Sequence, residues 1–195
     1  MKSKSLIILI LFGLTCTNPF SGRDSETPSE AEGTFITPVE PEIVLLNLEA
    51  SYNEKIISNF IQCLDTTFYF TFDFLQFADL PDTSWGYGAE RIITDNIFNY
   101  YRAGQDSISL SLSMQAIESL PGVKDDTLAV LYREYELTGI SSSVERAVPD
   151  TVIYTGTAEF DIIQTSGNLW AIRRWADNHA STNDTGWSDF KNGFR

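Results

Sequence analysis

Two acidic residues sit inside apolar runs, where a carboxyl group could accept a proton. Asp73 interrupts Phe68-Tyr69-Phe70-Thr71-Phe72-Asp73-Phe74, and Asp161 alternates with Phe160 and Ile162. A carboxyl withdrawn from water has its pKa raised toward the range in which a general base works. Tyr100 and Tyr101 supply phenolic donors that could partner either acid. The plainer reading is that both acids lie on the outer face of a sheet, since a chain with 27 acidic residues places many there. Asp73 in particular points to the less apolar side of its run. His179 follows Asp177 by two positions after a strand and reads as a surface residue. No Gly-x-Ser-x-Gly elbow presents a serine to it, which excludes serine-hydrolase chemistry of that kind. Two cysteines and one histidine are too few for a zinc site, and Asp125-Asp126 lacks the spacing of a calcium loop, reading instead as a turn. No metal and no cofactor is expected.

The charge narrows the partners. The 195 residues carry a formal charge of −14, more negative by two once a leader holding Lys2 and Lys4 is removed. Such a field repels phosphate backbones, so nucleic acid is excluded as a partner. Arg173-Arg174 is the one adjacent basic pair, and in a strand its members point to opposite faces. Cys63 falls in a helical pattern and is expected buried and inert, with no disulfide to Cys16.

The first residues read as an export leader. Lys2 and Lys4 precede nine residues, 6–14, that are apolar apart from Gly13. That run is too short to span a bilayer and suits the core of a signal peptide. Gly13-Leu14-Thr15-Cys16 follows and resembles the bacterial lipobox, although Gly13 and Leu14 stand in reversed character to that pattern. The resemblance implies cleavage after residue 15 and a lipid on Cys16. Residues 17–41 hold Pro19, Pro28, Pro38 and Pro41 among Ser, Thr, Gly and acidic residues. Too little apolar surface is present there to offset chain entropy, so residues 16–40 are expected to form a disordered tether. Thr17, where the sorting rule of common Gram-negative lipoproteins would read Asp for inner-membrane retention, implies the outer membrane of a host that has one.

The elements that must position any site follow. Pro41 and Glu42 open a first helix, with Ile43, Val44, Leu45, Leu46 and Leu48 on a broad apolar face and Asn53 as the expected left-handed stop. A second helix reads from Glu54, with Ile56, Ile57, Phe60, Ile61 and Leu64 at helical spacing. Residues 68–74 alternate as a strand. A loop with Pro81, Trp85, Gly86 and Gly88 leads to a third helix at 89–101, where Ile92, Ile93, Ile97, Tyr100 and Tyr101 form the expected buried stripe. Strands are expected at 107–114, at 127–138 with Leu128, Val130 and Tyr132 sharing a face, at 151–164 with Gly156 as a bulge or bend, and at 169–176. Ser166-Gly167-Asn168 joins the last two, with Gly167 supplying the positive φ of a tight hairpin.

Helix, helix, strand, helix and four antiparallel strands, closed by Gly167-Asn168-Leu169-Trp170-Ala171-Ile172-Arg173-Arg174-Trp175-Ala176-Asp177, resemble the NTF2-like family of α+β cones. The resemblance covers residues 41–180 and implies three helices packed on a curved antiparallel sheet, with a cavity at the open end. Residues 181–195 lie beyond it as a tail that folds back as a lid or caps the sheet edge. Many enzymes of that family pair an Asp base with a Tyr or His polariser, which would cast Asp73 or Asp161 with Tyr100 or Tyr101. Trp170 and Trp175, five apart, are expected on opposite faces of their strand, one packed inside and the other covered by Trp187 or open to a partner. The reading favoured is a lipid-anchored envelope protein whose non-catalytic domain binds a small hydrophobic ligand or an envelope protein, with Tyr100, Tyr101, Trp170 and Trp175 as cavity or partner surface. A small isomerase-like or hydrolase-like enzyme with a buried carboxylate is the alternative. The oligomeric state is open.

Overall fold

The computed structural model describes residues 33–72, 84–102, 109–141, 150–178 and 185–195. Cys16, Asp73 and His179 lie outside the described residues. So do the leader and most of the expected tether.

Pro41 opens α1 (Pro41–Glu54), whose inner face carries Val44, Leu45, Leu48 and Tyr52. The helix runs past Asn53, and Lys55 takes the left-handed turn instead, at φ 58°. Asn53 is used elsewhere: its side-chain amide pairs with both the N–H and the C=O of Leu112 (2.7 and 3.0 Å). The second helix is only one and a half turns, α2 (Ile57–Gln62), because the chain must re-enter after the left-handed Lys55. Strand β1 (Leu64–Thr71) then starts four residues earlier than the aromatic alternation suggested. Phe68, Phe70 and Phe72 are buried, as that alternation requires. A three-residue β2 (Ser84–Gly86) lies against β1 and leads directly into α3 (Tyr87–Arg102). Five further strands follow: β3 (Ser109–Ala116), β4 (Val123–Lys124), β5 (Leu128–Ser141), β6 (Asp150–Gln164) and β7 (Trp170–Asn178). The last described element is α4 (Trp187–Asn192).

The sheet order is β2-β1-β7-β6-β5-β3, with the short β4 beside β5. All pairs are antiparallel except β1 with β7, which run parallel. No hairpin connects that pair, so nothing forces its direction. The helices cover one face of the sheet, and the aromatic core lies between them.

The stripe of α3 is rotated from the expected one. Glu90, Ile93, Thr94, Ile97, Phe98 and Tyr101 face inward, whereas Ile92 and Tyr100 are exposed. Along β5 the inward residues are Ala129, Leu131, Tyr135 and Leu137, so Leu128, Val130 and Tyr132 share the outer face. Strand β6 pairs with β5 without interruption, and Gly156 makes no bulge. It leaves room instead: a β-carbon there would lie 2.6 Å from the Tyr135 hydroxyl oxygen and 2.8 Å from the Asn178 carbonyl. In the β6–β7 turn the positive φ belongs to Asn168 (57°), not to Gly167.

The bulge lies between β6 and β7. Asp161 pairs with Arg174 and Ile162 with Ile172, which leaves Arg173 as the extra residue. One extra residue reverses the alternation of the strand. Trp170, Ile172 and Trp175 therefore all face the core, although five positions separate the two tryptophans. The same shift brings both arginines to the acids of the opposite face. Arg174 pairs with Glu159 and with Asp161 (3.4 Å), and Arg173 lies 4.0 Å from Asp161.

Two expected boundaries move outward. Residues 33–40, expected as tether, lie along the domain. Asn47 pairs its amide with the N–H and C=O of Ile36 (2.8 and 2.6 Å), and Pro38 accepts from Trp170 N–H at 2.8 Å. At the other end, α4 is part of the core.

Candidate functional site

The interior where a cavity was expected is filled by α4. Trp187 and Lys191 are fully buried and Phe190 nearly so. A helix of six residues has little stability of its own, so its neighbours hold it in place. Tyr135 on β5 accepts the Trp187 N–H at 2.8 Å and donates its own hydroxyl to Asp177 Oδ1 at 2.6 Å. The second oxygen of Asp177 accepts the Ser188 N–H at 2.6 Å. Asp189 closes the turn by accepting the Gly186 N–H at 2.8 Å. Four amide hydrogens of a helix start lack partners within the helix, and these groups supply acceptors for the first of them.

The rings pack edge to face or tilted. Trp187 meets Trp175 with centroids 4.1 Å apart, Tyr135 at 4.8 Å and Tyr52 at 5.3 Å, and its indole N–H reaches the Tyr52 hydroxyl at 3.3 Å. Phe190 rests on Tyr154 at 5.0 Å.

Lys191 places a cation among these rings. Its ammonium lies 2.7 Å from Glu90 Oε1, and both side chains are wholly buried. The same ammonium is 3.4 Å from the centroid of a Trp175 ring and 3.9 Å from that of Phe70. Aromatic faces at that distance attract a cation through their quadrupole. Glu90 is held on its other oxygen by Trp85 Nε1–H at 2.7 Å, and Thr94 donates to Oε1 at 3.3 Å. Burial pushes the Lys191 ammonium down to about 8, an effect that Glu90 opposes. The Tyr52 hydroxyl goes up, by burial first and by the Glu90 charge second. Tyr135 is raised by burial and by Asp177.

The sequence-predicted residues are dispersed. Asp161 lies opposite this interior, bound by Arg174 and Arg173. Tyr101 is inside: its hydroxyl fills the space that a β-carbon on Gly139 would need, and its ring packs on Phe190 and Phe194. Tyr100 is exposed, with its ring against Phe194 at 5.5 Å. Trp175 forms the wall beside Lys191, and Trp170 is buried next to the 33–40 segment. Cys63 is buried and donates to the Asn59 carbonyl at 3.3 Å, and burial pushes its thiol up to about 12.

Among the described residues the acids inside are Glu90 and Asp177; Glu90 is not singled out in sequence, and Asp177 reads there only as the end of the closing strand. Glu90 had one signal: its spacing to Ile93, Ile97 and Tyr101 matches the helical stripe. A hollow of about 350 Å3 lies elsewhere, over β3, β5 and β6, lined by polar side chains that include Ser113, Gln115, Glu134 and Glu136. No group of three or more His, Cys, Asp or Glu among the described residues could hold a metal ion. No described helix is long and apolar enough to cross a membrane.

No family model matches the sequence, and no curated protein does. Solved structures do. A dehydratase candidate of the NTF2-like family from Streptomyces avermitilis superposes with a TM-score of 0.54 at 6% identity, over 71% of this chain and 93% of the other. The fold is NTF2-like. A Kribbella flavida protein superposes on the NTF2-like domain with a TM-score of 0.54 at 11% identity, over 73% and 89% of the two chains. The β subunit of benzoate 1,2-dioxygenase from Burkholderia mallei gives 0.53 at 11% identity, over 70% and 86%. Chains of such different description share this architecture, so the NTF2-like fold alone selects no chemistry.

Proposed function

We propose that the protein is a non-catalytic binding module, carried on a lipid at Cys16 and a flexible segment at the bacterial cell envelope, whose NTF2-like interior is closed by its own α4. One observation carries the non-catalytic half: among the described residues, the interior carboxylates Glu90 and Asp177 are both committed to holding structure. Glu90 serves Lys191, Trp85 and Thr94, while Asp177 serves Tyr135 and the start of α4. A general base must instead face a substrate proton within hydrogen-bond reach. Asp161 meets arginines on the opposite face. The Tyr135–Asp177 contact of 2.6 Å favours one other reading, an enzyme latent behind α4.

The envelope half rests on the leader and on Cys16. Intact mass of the membrane-fraction protein, measured beside a Cys16→Ser variant, tests it. A mature chain beginning at Cys16 with added diacylglycerol mass, lost in the variant, is the expected result. An unmodified chain in the soluble fraction overturns the anchor and leaves the closed interior as it is.

A further inference from the structure

Helix α4 is held as a ligand is held: one cation and two aromatic rings set against groups fixed on other elements. Glu90 comes from α3, Phe70 from β1, Trp175 from β7, Tyr52 from α1 and Tyr135 from β5. We propose that the space occupied by Trp187, Phe190 and Lys191 is a binding site for an amphipathic organic ammonium, a protonated primary amine joined to an aromatic body, which displaces α4. The proposal rests on the reading of the domain as a binding module and names the chemistry of what it binds.

Three observations select that class. First, the receptor is anionic without its occupant. Release of α4 removes Lys191 and leaves the Glu90 carboxylate among aromatic walls without its counter-ion, so an anion is repelled and a neutral body leaves that charge uncompensated. Second, Glu90 offers its ligand a single oxygen, because Trp85 Nε1–H holds the other at 2.7 Å. One oxygen between two ring faces suits the compact charge of an ammonium, whereas a guanidinium is matched best by two acceptor oxygens side by side. Third, α4 fits its own site imperfectly. Ser188 Oγ and Trp175 Nε1 are buried with no hydrogen-bond partner among the described residues. Each such group has given up its water without a replacement partner. Lys191 is stripped of water as well. An occupant that carries the cation and a ring without the serine avoids part of those costs.

Trypsin reads the exchange directly on the full-length chain. Lys191 is wholly buried while α4 is docked, so cleavage after it reports the undocked population when opening is fast. The probe is phenethylammonium at neutral pH, compared with 3-phenylpropanoate and with 3-phenylpropanol. The expected result is cleavage after Lys191 that rises about tenfold when phenethylammonium reaches about ten times its dissociation constant for the open form. The anion is expected to have no effect and the alcohol a much smaller one. In Glu90→Gln the response to the ammonium should vanish. In Lys191→Ala, where trypsin has lost its site, phenethylammonium should raise the Tm and the alcohol should not.

Equal responses to the ammonium and the alcohol overturn the cationic class and leave the binding module standing. No response to any of the three probes, in the wild type and in Lys191→Ala alike, overturns the interior site and the binding reading together. The anchor at Cys16 is judged separately, by mass.

Discussion

Because Lys191 is buried as a cation, the stability of the domain should rise as the solution becomes mildly alkaline. Its ammonium is pushed down by burial to about 8 in the folded chain, against 10.5 for an ordinary lysine. Between those values the unfolded chain binds more protons than the folded one, so stability increases with pH. Below the folded value both forms hold the proton and the full cost of the buried cation is present. Above the unfolded value neither holds it and the cost is gone. Integrated from about pH 7 to about pH 9, the gain is about 1 kcal/mol. Urea unfolding in small pH steps at constant ionic strength measures it. The parent and its control both carry Cys63→Ala, because a thiol that burial pushes up to about 12 would itself lower stability as the unfolded thiol ionises. The control is the Glu90→Gln/Lys191→Met double variant, which removes both charges at once and should be flat over the interval. A single Lys191→Met variant would leave Glu90 buried without its counter-ion and confuse the comparison. Stability that falls over the interval in the Cys63→Ala parent while the double variant stays flat would mean that the charged pair outweighs its desolvation. That result would refute the reasoning.

Three further outcomes follow from the same contacts. Tyr135→Phe deprives both Asp177 and the Trp187 N–H of their 2.6 and 2.8 Å partner; it should cost about 1–3 kcal/mol in urea unfolding and speed trypsin cleavage after Lys191. Gly156→Ala drives a methyl group to 2.6 Å from the Tyr135 hydroxyl oxygen and should lower stability by about 1–3 kcal/mol, whereas an alanine at Gly88, with nothing within 4 Å, should not. Cys63, buried and with its thiol pushed up to about 12, should resist a thiol reagent in the native protein at mildly alkaline pH and react only at the rate of unfolding.

The sequence made the architecture legible because most of its elements announce themselves locally. Pro41 opens a helix, Phe68, Phe70 and Phe72 alternate, and Leu110 and Leu112 alternate with serines. What stayed hidden depends on partners remote in the chain. The inward turn of Tyr135 and the two tryptophans of β7 depend on pairing with β6, and the bulge at Arg173 is visible only once Asp161 is set against Arg174. A strict period of two puts Trp170 and Trp175 on opposite faces; one added residue reunites them. Glu90 reads as a solvated helix residue until Lys191, 101 positions away, is brought beside it. The tail reads as an appendage for the same reason. A short stretch with Trp187, Phe190 and Lys191 carries no periodicity long enough to say where it packs.

Asn53 has a consequence beyond its own helix. With Lys55 on the Leu110 carbonyl at 3.3 Å and the Glu49 carboxylate on the Met114 N–H, it occupies alternate backbone groups along the free side of β3. Those groups would otherwise be a template for a strand from another molecule, the first step of polymerisation into fibrils. At the opposite end of the sheet β2 is only three residues long, too short to seed a ladder. The end of α1 thus acts as a cover strip made of side chains, and the sheet stops growing at the boundary of its own molecule.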